Sequence, residues 1–272
     1  MKPKIIRGIW AAAAALPLSL MGQTAHAVPV GLELSLLVDV SSSVSAAEFN
    51  LQKQGYAQAF QSAAVQGAIS ANPTGSIAVN FIQWSNGTQQ QETIGFTLID
   101  GPASADAFAA SIAAAERAFS NNTAPGSAIA FAASRFDGNG YEGARTVIDV
   151  SGDGVQNSGS DTSDARDAAL AAGVSAINGL AIGGASITNF YRDNVIGGSG
   201  GFVLSVDDFA DFSTGIARKL ALEITPGPDG PNPDPLPPVS EPSGPTVSVP
   251  EPASFALLGL GLAALGVVRR RV

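Results

Sequence analysis

Leu34-Ser35-Leu36-Leu37-Val38-Asp39-Val40-Ser41-Ser42-Ser43 is an apolar run that ends abruptly in one carboxylate and alternating hydroxyls. So long a β-rich run with little polar relief reads as a central strand buried on both faces. Its polar end then lies at the C-terminal edge of the sheet. If the chain leaves the strand in a turn, Asp39, Ser41 and Ser43 can converge with one charged and two neutral oxygen donors. Such a donor set suits hard cations, Mg²⁺, Mn²⁺ or Ca²⁺. Serines after a strand also cap helices, and Ser45 with Glu48 has the spacing of a capping box.

Working outward, Ser45 to about Val65 has helical spacing with Phe49, Tyr56 and Phe60 near one face. Pro73-Thr74-Gly75 breaks the chain. Ile77 to Trp84 reads as a second buried strand, with Phe81, Ile82 and Trp84 as core, and Thr93 to Ile99 as a short edge strand joined to it by a hairpin. Ser104 opens an alanine-rich helix over Ala105 to Phe119, and a further helix covers Gly126 to Phe136. Thr123 therefore sits on a loop at a helix N-terminus, where capping and metal ligation are both open to it. Asp137-Gly138-Asn139-Gly140 is a turn whose spacing departs from an EF-hand loop, and no metal is assigned to it.

Arg145 to Val150 is a strand running into Ser151-Gly152-Asp153-Gly154, a second carboxylate at a strand end, flanked by glycines that let backbone approach a site closely. Asp149 alternates into the strand and reads as a structural hydrogen-bonding residue. Asp161 to Ala172 is helical, with Asp161 and Asp164 complementing the helix dipole. Ser175 to Ile182 and Phe202 to Val206 are strands, and Asp208 to about Leu222 is a closing helix. This order predicts an α/β domain over residues 28–224: a doubly wound, mostly parallel sheet with one antiparallel edge strand and helices on both faces. In such folds a site forms outside the strands' C-terminal ends where the strand order reverses, so Asp39 and Asp153 are expected to converge.

The termini are of another kind. Lys2, Lys4 and Arg7 precede an apolar stretch from Ile9 to Leu20, and Ala25-His26-Ala27 has the small-x-small pattern of a signal-peptidase site, so residues 1–27 read as a secretory signal. His26 is the only histidine and there is no cysteine. Cleavage after Ala27 would leave neither residue, which excludes Ser-His-Asp, Cys-His, zinc-histidine and disulfide chemistry. Residues 225–248 form a Pro/Gly-rich linker. Val249-Pro250-Glu251-Pro252 follows, then an apolar segment from Ala253 to Val268 and Arg269-Arg270-Arg271. As a helix the segment spans roughly 24 Å against the ~30 Å of a bilayer core, and its arginines face the cytoplasm.

Six of the 14 basic residues lie in these two end segments, leaving eight against 23 acidic ones, a formal charge of −15 for residues 28–252. That surface repels phosphate backbones, so no nucleic-acid partner is expected.

Residues 249–272 resemble the PEP-CTERM sorting signal of Gram-negative bacteria: a Val-Pro-Glu-Pro box, a short transmembrane helix and a basic end. The resemblance implies transient anchoring in the inner membrane, processing by an exosortase after signal peptidase, and delivery to the cell surface or extracellular matrix. Residues 32–222 resemble a von Willebrand factor A-type (VWA) domain through Asp39-Val40-Ser41-Ser42-Ser43, Thr123-Ala124-Pro125-Gly126-Ser127-Ala128-Ile129 and Ile148-Asp149-Val150-Ser151-Gly152-Asp153-Gly154, with the last element similar to an uncharacterised bacterial branch. The resemblance implies a Rossmann-like fold and a metal-ion-dependent adhesion site at Asp39, Ser41, Ser43, Thr123 and Asp153. That site would take Mg²⁺, with Mn²⁺ or Ca²⁺ as alternatives, and a protein or polysaccharide ligand offering an acidic group.

The rival readings are a metal-dependent hydrolase, with Asp153 as base to a metal-activated water, and a structural matrix protein with a vestigial site. The aspartyl phosphotransferase motif needs a second carboxylate where this chain has Ser41. The aspartate segment of subtilisin-like proteases needs a histidine. The expectation is an exported metal-dependent adhesion module and not an enzyme.

Overall fold

The computed structural model describes residues 26–225, so the predicted signal segment up to Ala25 and the linker and tail beyond Thr225 lie outside the described residues. Its strands are β1 (Val28–Val30), β2 (Glu33–Asp39), β3 (Ile77–Trp84), β4 (Gln90–Ile99), β5 (Tyr141–Gly143), β6 (Thr146–Gly152), β7 (Ala176–Ile182), β8 (Gly197–Gly198) and β9 (Val203–Val206). Its α-helices are α1 (Ala46–Gln61), α2 (Ala63–Ser70), α3 (Pro102–Ala114), α4 (Pro125–Ala133), α5 (Thr162–Ala171), α6 (Ala185–Phe190) and α7 (Phe212–Ile224), with a π-helical turn over Tyr191–Val195.

Seven strands form one sheet in the order β4-β3-β2-β6-β7-β8, with β9 also paired to β7. β2 lies at the centre, parallel to β3 on one side and β6 on the other, while β4 runs antiparallel on β3. The strand order therefore turns outward in both directions from β2 and β6, and the crevice at their C-terminal ends is the switch point of a doubly wound sheet. The fold class read from the sequence is the one observed.

Alternation along β2 explains the two covered faces. Leu34, Leu36 and Val38 join the core made with Tyr56, Phe60, Phe108, Phe212 and Leu220 under α1, α3 and α7. Leu37, pointing the other way, joins Ile82, Trp84, Ile129, Ile148, Val150 and Tyr191. Every residue of β2 is buried, as the continuous apolar run required.

Several boundaries differ. The long first helix divides at Ser62, which accepts from Val65 N–H and starts α2. The helix expected to reach Phe119 stops at Ala114, and the one expected to reach Phe136 stops at Ala133. Arg117 accounts for the first of these: its guanidinium reaches three backbone carbonyls only if the segment after α3 is extended. The small β1–β5 sheet, α6 and the π-helical turn carried no periodic signal. Glu33, buried at the foot of β2, holds the turn after Asp137 through Asn139 Nδ2 and through the N–H of Gly143 at 2.6 Å.

Candidate metal centre

Asp39 ends β2 fully buried. Its Oδ1 accepts the backbone N–H of Ser41 at 2.7 Å, closing the turn that the sequence predicted after the strand. Ser41 Oγ lies 3.0 Å from Ser43 Oγ, and the Ser43 hydroxyl donates to Asp153 Oδ1 at 2.7 Å. Ser45 then caps α1 in a full capping box with Glu48, which fixes where the loop ends. Two strand ends and one helix cap thus place four of the five predicted side chains in one chain of contacts.

The fifth, Thr123, is buried beside Gly154, where a Cβ would stand 3.4 Å from Thr123 Oγ1. Its N–H donates to Asn157 Oδ1 at 2.8 Å, and its carbonyl accepts from the N–H groups of Asn157 and Ser158. The loop after Asp153 therefore wraps around Thr123. No side-chain cap bond from Thr123 starts α4, whose N-cap is Ala124.

Other residues knit the loops together. Ser85, just past β3, accepts Asn121 N–H and donates to Asn122 O, and Ser42 N–H donates to Asn121 O. The Arg117 guanidinium donates to Val40 O at 2.8 Å, Ser41 O at 2.7 Å and Phe119 O at 2.8 Å. Beneath the site, Gln52 Nε2 donates to Asp39 O at 3.0 Å, while Tyr56 bonds Ser151 Oγ, which donates to Leu37 O. The expected close approach at the glycines is present. A Cβ on Gly152 would sit 2.6 Å from the Tyr191 hydroxyl and 2.7 Å from Asp39 Oδ2. Arg117 and Tyr191 had no signal in the sequence, because a lone arginine after a helix and a tyrosine in an aperiodic segment match no motif.

Electrostatics follow from burial. Desolvation pushes the Asp39 carboxyl up to about 7, opposed by the Ser41 hydrogen bonds and reinforced by the negative charge of Asp153. Burial also raises Asp153, against the Ser43 hydroxyl bond. Asp39 Oδ2 is sealed from solvent and has no hydrogen-bond partner, and neither has the Tyr191 hydroxyl. A buried carboxylate with an unanswered oxygen is a strong demand for positive charge. Hydroxyls dominate the donor set; among the described residues no three acidic, imidazole or thiol side chains gather as ligands. Two carboxylates with neutral oxygens fit a hard divalent cation.

Asp149 lies two residues before Ser151 on the same face of β6, one step further from the strand's C-terminal end. There it contacts Lys219 of α7 at 2.6 Å rather than the site, in keeping with the structural role expected of it. Asp161 caps α5 by accepting from Asp164 N–H at 3.0 Å, as expected of a helix start.

Comparison with known proteins bears on the fold and on the C-terminal segment. Two structures of proximal thread matrix protein 1 (PTMP1) from the mussel byssus superpose at TM-scores of 0.57 and 0.53, with 14% and 16% identity; the second has a zinc-occupied MIDAS motif. Each match covers 73% of this chain and 48% of PTMP1, so the chain spans about half of that protein's length. The pilus adhesin SpaC of Lactobacillus rhamnosus GG matches at a TM-score of 0.51 and 13% identity, over 72% of this chain and 30% of its own. A von Willebrand factor type A structure from Catenulispora acidiphila gives 0.49 and 14%, over 71% and 42%. At these identities the likeness is one of fold alone, that of a doubly wound α/β domain. No curated protein matches the sequence. Residues 248–271 match the PEP-CTERM protein-sorting motif, which implies export, membrane anchoring before processing, and an exosortase as processing enzyme. Residues 29–228 match the model of DUF1194, proteins of unknown function, and the chain belongs to that family.

Proposed function

We propose that this is an exported, divalent-cation-dependent binding module, an adhesion domain in which the ion held at the sheet's switch point captures an acidic group of a protein or polysaccharide ligand. The observation that carries it is the spacing of the oxygens. Ser41 Oγ and Ser43 Oγ are 3.0 Å apart, and Ser43 Oγ and Asp153 Oδ1 are 2.7 Å apart. These oxygens already stand within hydrogen-bond distance of one another, close enough to share one hard cation, Mg²⁺ first, with Mn²⁺ or Ca²⁺ as alternatives. Ser41, Ser43 and Thr123 would supply hydroxyls, with Asp153 and Asp39 supplying charge. With neutral hydroxyls as most of the donors, an acidic group of the ligand would supply an oxygen to complete the ion's donor set.

Binding rather than turnover is the reading. The PEP-CTERM tail supports display at the cell surface or in the matrix after exosortase processing. The zinc in PTMP1 is that protein's; the shared fold supports a divalent ion here.

The test is thermal unfolding of the domain in chelator and in Mg²⁺ or Mn²⁺, for wild type and Ser43→Ala. At one hundred times Kd, an ion bound only by the native state adds about 2.7 kcal/mol. If Ser43→Ala responds to the ion as wild type does, the proposed site is wrong. A chelator-sensitive capture of matrix components by wild type, lost in Ser43→Ala, then identifies the ligand class.

A further inference from the structure

On the face of the sheet covered by α1 and α7, deeper than the hydroxyl cluster at the rim, a second polar group is sealed in the core with no role in the binding reading. Lys219 and Glu223 of α7 and Asp149 of β6 are at most 1% exposed. Lys219 Nζ lies 2.6 Å from Asp149 Oδ1 and also contacts Glu223 Oε1. The Asp149 contact is off the line of a directed hydrogen bond, and Asp149 Oδ2 has no partner. Asn178 Nδ2 holds Glu223 Oε1 at 2.8 Å, and the Phe202 ring stands 5.7 Å from the ammonium. One amine against two carboxyl groups, walled by aromatic and aliphatic side chains, is a poor way to gain stability, because burying ions costs more than their pairing returns. It is a good way to hold an amine against a carboxyl carbon.

We infer that Lys219 and Asp149 condense, without any enzyme, into an intramolecular amide bond, with Glu223 as the proton-transfer group. A proton moves from the Lys219 ammonium to the Asp149 carboxylate through Glu223, leaving a neutral amine beside a neutral acid. The Nζ lone pair attacks Cγ, and the C–N bond forms. Glu223 takes the proton from nitrogen and delivers it to the departing oxygen. The C–O bond breaks and one water leaves. Two protons end in that water, one stays on the amide nitrogen and one on Glu223. No oxidant or co-reactant is needed.

Three observations besides the distance support this. In a sealed site, passing a proton within the cluster removes two opposite buried charges at once, which offsets part of the cost of the transfer. Burial first, and the neighbouring Asp149 charge second, push the Glu223 carboxyl up to about 8, which keeps a proton on it for delivery; burial also raises Asp149, opposed by Lys219. Other groups facing the cluster are neutral or turned elsewhere: Tyr56 bonds Ser151, and the Arg145 guanidinium donates to the carbonyls of Glu223 and Ile224. The bond would fasten α7, the last element before the linker and sorting tail, to a central strand of a protein with no cysteine to do so. Near proximity in a rigid core supplies the effective concentration that such a condensation needs.

The experiment is peptide mapping by mass spectrometry of the purified full chain after trypsin. Expected is a branched species joining the peptide Thr146 to Arg166 with the peptide that begins at Lys219, lighter by one water than the two together, with no cleavage after Lys219. Lys219→Arg and Glu223→Gln chains should yield the two peptides unjoined. Wild-type peptides of unmodified mass, with normal cleavage after Lys219, overturn the inference, and so does a link from Lys219 to Glu223. A water loss confined to a linear peptide, on Asp137 or Asp153 before glycine, overturns it too. A Glu223→Gln chain that is still joined removes Glu223 from the step. Because wild type alone decides the main point, a variant that fails to fold leaves the result intact.

Discussion

Replacing Asp39 by Asn should make the metal-free domain more stable at pH 8, not less. The carboxylate is fully buried with Oδ2 unanswered, and its folded value of about 7 stands some three units above the ordinary 3.8. At about 1.4 kcal/mol per unit, holding that charge costs the folded state roughly 4 kcal/mol at pH 8. The sign follows from the raised value. The folded state holds the proton more tightly than the unfolded chain, so metal-free stability is fullest below about pH 4 and is lost as pH rises through about 7. Asn keeps the Oδ1 acceptor for Ser41 N–H and removes the buried charge.

Urea denaturation in chelator, followed by the fluorescence of Trp84, which is buried in register with Asp39, would measure the difference. Asp39→Asn is expected to be more stable by roughly 4 kcal/mol at pH 8, and by less than about 2 kcal/mol at pH 5. Adding Mg²⁺ should stabilise wild type and leave the variant unchanged. A variant less stable than wild type at pH 8 in chelator, or one that still responds to Mg²⁺, would refute the idea that this carboxylate is a desolvated charge kept for a cation.

Thr123→Ala should abolish or strongly weaken the Mg²⁺ response while changing chelated stability by less than about 1 kcal/mol, because the threonine's backbone, not its hydroxyl, holds the loop; calorimetric titration with Mg²⁺ checks it. Arg117→Met leaves three carbonyls without their donor, so a loss of about 1–3 kcal/mol and a weaker Mg²⁺ affinity are expected, read by urea melts and titration together. Gly152→Ala drives a methyl to 2.6 Å from the Tyr191 hydroxyl and 2.7 Å from Asp39 Oδ2. A loss of about 1–3 kcal/mol is expected, with the ion response gone, and Tyr191→Phe in the same background should recover part of the stability by removing a buried unpaired hydroxyl.

Much of the architecture was written locally. Apolar runs such as Leu34 to Val38 and Ile77 to Trp84 can be satisfied only as strands covered on both faces, and a carboxylate at the end of such a run has nowhere to go but the sheet's rim. That is why Asp39, Ser41, Ser43 and Asp153 could be named before any coordinates, and why their joining by hydrogen bonds is a consequence of parallel pairing between β2 and β6. What the sequence could not determine is whatever depends on the distance between segments far apart in the chain. Arg117 looked like part of a helix, and only its reach to Val40 and Ser41 shows why α3 ends at Ala114. Lys219 in the closing helix and Glu223 just past its predicted end match no motif in the sequence. Packing of α7 on the sheet turned both inward onto Asp149, because side-chain direction along a helix is local but the face that becomes buried is decided by the partner it meets.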